Sequence, residues 1–227
     1  MPEDLAHGVP ESVRVLAVPC NVSLSEPTAA ALRGFVERGG ALFTEGRFGL
    51  LTEDAYLHPR VPGGGLSEAF GLRERRFICD AKDRASIAPD ATLEIEDYCQ
   101  LLELAPHAKR VLGSEKGRPL LVTSNLGTGL YLHVPLLLGR LLHKNVPGAL
   151  ALFRTAFDLL RPFLHPAVPV LYKDPQVDVS VLVRAPNTPS LIGICNYRHG
   201  VATVELAWRS PPHAIDGCTR ARVTQSL

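Results

Sequence analysis

The sequence lacks the features that mark several functional classes. Its 24 basic and 23 acidic residues leave a formal net charge of +1, which indicates no electrostatic partner such as nucleic acid or an anionic membrane. No apolar run is long enough to span a bilayer. The amino terminus is polar and acidic, unlike a signal peptide. We therefore expect a cytoplasmic protein with neither nucleic-acid nor membrane partners.

Cysteine pairs and metal-ligand motifs are also missing. The cysteines include no C-x-x-C pair and number only five: Cys20, Cys79, Cys99, Cys195 and Cys218. An odd, scattered set favours reduced thiols over a disulfide framework. The histidines match no zinc spacing, the acidic segment 80–97 matches no calcium loop, and the glycine-rich segments match no phosphate loop. We expect no metal and no cofactor.

What the sequence does contain is one complete strand–helix–strand unit. The apolar run Val13–Val18 predicts a strand buried on both faces, as in a parallel sheet. Ser25 is suited to cap a helix whose buried face is Ala29, Leu32, Phe35 and Val36. Gly39 is suited to the left-handed position that ends the helix. The segment 41–44 is then a second strand, parallel to the first through a right-handed crossover.

The candidate site residues follow these two strands. Ligands of such sheets lie beyond the carboxyl ends of the strands, which places Asn21, Glu45 and Arg47 along a candidate binding edge. The turn after the second strand contains neither Cys nor Ser, so it offers no usual nucleophile. Cys20, on the same edge, could act as a nucleophile with His133, which ends a later strand. The simpler interpretation is that Cys20, His133 and Glu45 have structural roles.

The rest of the chain alternates further elements with loops. Ser67 is expected to cap a short helix, and 119–124 and 130–134 to form a glycine-linked hairpin. Strand-like segments occur at 92–95, 100–104 and 108–112. A helix ending at Leu160 has a predicted buried face formed by Leu150, Phe153, Phe157 and Leu160. The segments 177–183, 190–197 and 201–208 predict a small antiparallel β module.

Four of these segments, in this order, resemble the bacterial β-galactosidases of glycoside hydrolase family 42. They are VRVLAVPCNVSLSEPTAAALRGFVERGGALFTEGRFG (13–49), GGGLSEAFGLRERRF (63–77), LLVTSNLGTGLYLHV (120–134) and VLVRAPNTPSLIGICNYRHGVATVEL (181–206). The resemblance is to the middle and C-terminal regions of that family and spans most of residues 13–208.

The resemblance implies a fold and a domain division. Residues 1–165 are expected to form a flavodoxin-like, class I glutamine amidotransferase-like α/β domain with a parallel sheet, of the kind that mediates trimerisation in the family. This domain would lack the family's first strand and helix. Residues 166–227 are expected to form the small antiparallel β domain, in truncated form. The family's two catalytic glutamates lie in a preceding TIM barrel that no part of this sequence resembles.

Three functional hypotheses remain open at this point. The first is a non-catalytic accessory and oligomerisation region of a β-galactosidase-like enzyme, forming a homo-oligomer that the resemblance implies is a trimer, with contacts around 46–65. The second is a divergent amidotransferase-like hydrolase that uses Cys20. The third is a carbohydrate-binding module, in which Tyr197 and Trp208 would stack on a sugar.

Overall fold

The chain divides into two compact units, Met1–Leu164 and His165–Leu227. The computed structural model describes residue 5, residues 7–164 and the backbone of four strands between 177 and 225. No helix in this described part is long and apolar enough to cross a membrane.

A five-stranded mixed sheet forms the centre of the first unit. Its strands are β1 (Val15–Val18), β2 (Ala41–Glu45), β7 (Ala108–Gly113), β8 (Pro119–Leu126) and β9 (Gly129–Val134). The spatial order is β1-β2-β9-β8-β7. β1, β2 and β9 run parallel, β8 is antiparallel to β9, and β7 is antiparallel to β8. The expected α/β architecture with a parallel component is therefore present.

The strand–helix–strand unit forms as its sequence predicts. Helix α1 (Glu26–Glu37) begins after Ser25, whose hydroxyl accepts a hydrogen bond from the Thr28 N–H at 3.3 Å. Its buried face contains the four predicted apolar residues. Gly39 follows the helix with φ of +100°, the left-handed conformation that glycine adopts without a steric penalty.

The first strand does not have the predicted environment. β1 lies at the edge of the sheet, paired only with β2 among the described strands. Val15 and Leu16 are half-buried and Ala17 is exposed. The prediction of burial on both faces is therefore wrong, because an apolar run reports the tendency to be buried, whereas edge position depends on which strands pair across the sheet.

Two small antiparallel sheets flank the central one. β3 (Leu72–Ile78) pairs with β6 (Cys99–Leu104), and β4 (Asp83–Ala88) pairs with β5 (Ala91–Ile95). The strand-like segments at 92–95, 100–104 and 108–112 and the 119–134 hairpin are confirmed. β3 and β4 were not predicted, because neither shows a clean apolar alternation.

Hydrophobic cores lie on both faces of the central sheet. Along β2 and β9, Leu42 and Tyr131 belong to the core beneath α1 and α2 (Leu66–Phe70). Their sequence neighbours Phe43 and Leu132 belong to the opposite core, beneath α3 (Leu138–His143) and α4 (Ala149–Leu160). This division follows from the two-residue period of strands. β2 is buried along its whole length.

Two helix details differ from expectation. Ser67 does not cap α2: Gly65 precedes the helix, and the Ser67 hydroxyl donates to the Leu72 carbonyl at 2.9 Å. In α4 the buried residues are Ala149, Leu152, Ala156 and Leu160. Three of the residues predicted to be buried are instead 39–49% exposed, namely Leu150, Phe153 and Phe157. Two alanines and two leucines thus form the packed face, and the face that carries both phenylalanines lies outward.

In the second unit the described strands form two antiparallel pairs. β10 (Val177–Leu182) pairs with β11 (Leu191–Asn196), and β12 (Ala202–Ala207) pairs with β13 (Arg220–Gln225). The predicted segments 177–183, 190–197 and 201–208 are thus confirmed as strands to within a residue or two, and β13 was not predicted.

Candidate functional site

The parallel strands bring the predicted site residues to one edge of the sheet. Val18 of β1, Thr44 of β2 and His133 of β9 are register partners across the three strands. Cys20 and Asn21 therefore follow β1 on the same side as Glu45 and Arg47, which end and follow β2. The side chains nevertheless have very different environments.

Cys20 and Asn21 lie at the outer part of this edge. Cys20 is exposed and has φ of +47°, an uncommon conformation for a residue with a side chain. The Asn21 carbonyl accepts a hydrogen bond from the Gly49 N–H at 2.9 Å and so fixes the chain after β2. Asn21 thus has a structural contact through its backbone.

Glu45 is buried, and its carboxylate has a partner within the protein. Its Oε2 accepts a hydrogen bond from the Gly139 N–H at 2.9 Å, at the start of α3. Burial raises the pKa of the Glu45 carboxyl, and the Gly139 and Leu138 N–H groups oppose that rise. Leu137, which precedes α3, makes no side-chain cap. Glu45 supplies the missing cap from a different strand.

Replacing Glu45 tests this capping role. Glu45→Ala should destabilise the fold by roughly 2 kcal/mol, because it leaves buried N–H groups without an acceptor. Glu45→Gln keeps an amide oxygen at the same position and should cost clearly less. The free energies of unfolding from urea denaturation at pH 7 measure both values. Equal losses in the two variants would contradict the role of the acceptor oxygen.

His133 is the centre of a buried chain of hydrogen bonds. Its Nδ1 lies 2.8 Å from the Thr44 hydroxyl, and its Nε2 lies 2.9 Å from Gln100 Oε1. The Thr44 hydroxyl is also 2.9 Å from that of Tyr131, and the Gln100 amide donates to Glu74. Burial lowers the pKa of His133 to about 3, so the imidazole is neutral in the fold.

The hydrogen bonds of this series all run in one direction, from Tyr131 to Glu74. Because Gln100 Oε1 is an acceptor, His133 Nε2 carries the proton and Nδ1 accepts from Thr44. Thr44 then accepts from the Tyr131 hydroxyl, and the chain ends at the Glu74 carboxylate. Both ring nitrogens of His133 are thus engaged inside the protein. The arrangement does not bring His133 together with Cys20, which is exposed beyond the carboxyl end of β1.

Arg47 lies in an aromatic cluster at the rim of the same edge. It is exposed, has φ of +69°, and its guanidinium carbon lies 5.2 Å from the centre of the Tyr98 ring. The Phe77 ring stacks on that of Tyr98, with the two ring centres 5.6 Å apart. Burial raises the pKa of the Tyr98 hydroxyl, and the nearby Glu74 charge adds to this effect.

Sequence reasoning missed Glu74, Tyr98 and Gln100. They lie on β3 and β6 or just before β6, and nothing in the sequence links these segments to the β2 edge. Among the described residues, no group of three or more His, Cys, Asp or Glu side chains could hold a metal ion. Tyr197 and Trp208, the predicted sugar-stacking pair, lie outside the described residues.

Comparisons with known proteins point to one group of enzymes. No protein-family model matches the chain. The β-galactosidase BbgII of Bifidobacterium bifidum is 26% identical over 153 residues, which are 62% of this chain and 22% of that protein. The crystal structure of the β-galactosidase from Rahnella sp. R3 matches with a TM-score of 0.64 and 16% identity, over 94% of this chain and 32% of the other.

A second solved structure agrees. Gan42B, a GH42 β-galactosidase, matches with a TM-score of 0.65 and 16% identity, over 94% of this chain and 30% of that protein. The chain thus spans about a fifth of the curated relative and less than a third of the solved ones. In fold over nearly its whole length, and in sequence over most of it, this chain is similar to a region of the family 42 β-galactosidases.

Proposed function

We propose that this chain is a non-catalytic accessory and oligomerisation region of a β-galactosidase-like glycoside hydrolase. In this proposal residues 1–165 have the amidotransferase-like organisation, the copies assemble as a trimer, and glycoside hydrolysis belongs to a separate barrel domain. The observation that carries the proposal is the coverage: 94% of this chain corresponds to only 30–32% of the solved β-galactosidases.

The environment of the edge residues supports a non-catalytic role. The Glu45 carboxylate caps α3, and both ring nitrogens of His133 have partners within the protein. A general acid or base must reach the substrate with a free hydrogen-bonding atom. These two side chains therefore stabilise the edge of the sheet, and no observation on the described residues favours the hydrolase that would use Cys20.

The proposal predicts assembly without hydrolysis. Sedimentation velocity on the full 227-residue chain should give a particle of three times the 24.6 kDa mass of the chain. The same sample should hydrolyse a nitrophenyl β-galactoside no faster than buffer. A monomer at the highest attainable concentration would overturn the oligomerisation role. Hydrolysis that co-purifies with the chain and disappears in Cys20→Ala would overturn the non-catalytic role.

A further inference from the structure

A loop between β2 and α2 presents two large apolar side chains to solvent. Tyr56 is 73% exposed and Leu57 is 69% exposed, the highest values among the large hydrophobic residues of the described part. Their neighbours Glu53 and Asp54 are also exposed. We call residues 53–57 the acidic loop. Adjacent exposed apolar residues of this size are typical of an interaction site.

The acidic loop is held in place by its own backbone. The Thr52 N–H donates to the Tyr56 carbonyl at 2.7 Å, and the Tyr56 N–H donates to the Thr52 hydroxyl at 3.1 Å. At the two ends of the loop, the Leu51 N–H donates to the Val22 carbonyl at 2.9 Å, and the His58 N–H donates to the Leu50 carbonyl at 3.0 Å. The loop is therefore preorganised, and binding through it would cost little conformational entropy.

A second exposed patch has the opposite charge. β3 carries exposed Arg73, Arg75 and Arg76, followed by Phe77, which is 48% exposed. We call residues 73–77 the arginine strand. Arg75 forms an ion pair with Glu103 at 3.0 Å. Within the described part of the chain, Arg73 and Arg76 form no ion pair, and neither do Glu53 and Asp54.

We propose that the acidic loop of one copy of this chain docks on the arginine strand of a second copy. Each patch supplies what the other lacks. The acidic loop has carboxylates beside an aromatic and an aliphatic side chain. The register of β3 with β6 places Arg73 and Arg76 on one face, where their guanidinium planes can stack on a tyrosine ring. Tyrosine and arginine are the residue types enriched where binding energy concentrates. Complementary charge aligns the two patches and accelerates their association.

This docking is compatible with the trimer of the proposed function. In a trimer each copy offers its acidic loop to one neighbour and its arginine strand to the other, and such head-to-tail contacts close into a ring when the rotation permits. The inference rests on the proposed oligomerisation role and specifies the surfaces that perform it.

Charge reversal tests the docking. The variants are Glu53→Lys with Asp54→Lys, and Arg73→Glu with Arg76→Glu, which leaves the Arg75–Glu103 pair intact. Each should raise the dissociation constant of the assembly roughly a hundredfold, because like charges are brought together in the contact. Combining all four changes in one chain should restore association, whereas mixing the two variants should restore only part of it, because a ring of three copies cannot alternate two kinds of chain. The matched control, Glu94→Lys with Glu96→Lys, reverses two exposed carboxylates on and beside β5 and should change nothing.

The outcomes separate this inference from the proposed function. If the unaltered chain assembles and neither reversal weakens it, or if the combined variant does not regain association, the docking is overturned while the oligomerisation role stands. If the unaltered chain is monomeric, both fail. Sedimentation at rising salt provides a second readout, since an assembly aligned by surface charge should weaken as salt screens it.

Discussion

Lowering the pH from 7 to 4 should destabilise the folded chain by roughly 3 kcal/mol through His133 alone. Burial lowers the pKa of His133 to about 3, whereas in the unfolded chain it is close to the ordinary value of 6.5. Between these two values the unfolded state binds a proton that the folded state does not. As far as it depends on His133, the free energy of unfolding is therefore highest above pH 6.5 and falls steadily as the pH drops towards 3.

Neighbouring carboxyl groups act in the opposite direction. Burial raises the pKa of Glu45, which follows Thr44, and of Glu74, at the far end of the hydrogen-bond chain. These groups bind protons more readily when folded, so acidification favours the fold through them and offsets part of the loss due to His133. The total pH profile is the sum of these effects, and an isolating variant is needed.

His133→Gln provides that variant. Glutamine has a donor and an acceptor but does not titrate, so its profile from pH 7 to 4 should lose the contribution of roughly 3 kcal/mol from His133. The control is His143→Gln, at an exposed histidine of α3, which should keep the profile of the unaltered chain. Urea denaturation at closely spaced pH values gives the comparison. A His133→Gln profile as steep as that of the unaltered chain would show that another group controls the acid response.

The second large effect is expected at Gly129, the first residue of β9. A Cβ atom there would lie 2.0 Å from the Val36 carbonyl oxygen and 2.4 Å from that of Gly40. Both neighbours are backbone atoms, which cannot rotate away. Gly129→Ala should therefore destabilise the fold by roughly 3 kcal/mol, the upper end of the usual cost of overpacking. Thermal and urea unfolding measure the change.

Gly34→Ala is the matched control for this substitution. Gly34 lies within α1, and a Cβ there would meet only the end of the flexible Arg38 side chain, at 3.1 Å. Alanine favours a helix interior by roughly 1 kcal/mol over glycine, so this variant should gain stability. A loss in Gly34→Ala as large as that in Gly129→Ala would mean that the close approach of β9 to α1 is not the cause.

The sequence predicts well those elements whose signals are local. The cap at Ser25, the apolar spacing of α1 and the stop at Gly39 lie within a few residues of the structure they produce. The hairpin at 126–129 is similarly specified by its glycines. Position within the sheet is not local, which explains why β1 was predicted as buried on both faces and lies instead at an edge.

Strands with few apolar residues were the main omission. β3 reads LRERRFI, in which exposed arginines break any apolar alternation, and its pairing with β6 depends on residues 21 to 32 positions away. In α4 the large side chains gave the stronger periodic signal, yet the face with Ala149, Leu152, Ala156 and Leu160 packs inward. Which of two apolar helix faces is covered depends on tertiary packing and cannot be read from the helix alone.

At the site, sequence reasoning located the edge but not the partners. Parallel pairing of β1 and β2 was enough to place Cys20, Asn21, Glu45 and Arg47 on one side. The capping role of Glu45 depends on Gly139, 94 residues further along the chain. The tautomer of His133 depends on the orientation of Gln100. Both are consequences of tertiary packing.

The central pairing of β2 with β9 has a consequence for the order in which the fold is acquired. Thr44 and His133 are neighbours in the sheet but 89 residues apart in sequence. Contacts of such separation form late, because the intervening chain must first lose its freedom. During synthesis, β1, α1 and β2 emerge early with the inner edge of β2 still unpaired. The inner edge of β2 and the side chains of Ala41 and Phe43, which face the core opposite α1, thus remain open to wrong partners until β9 leaves the ribosome, whereas α1 can already cover Leu42.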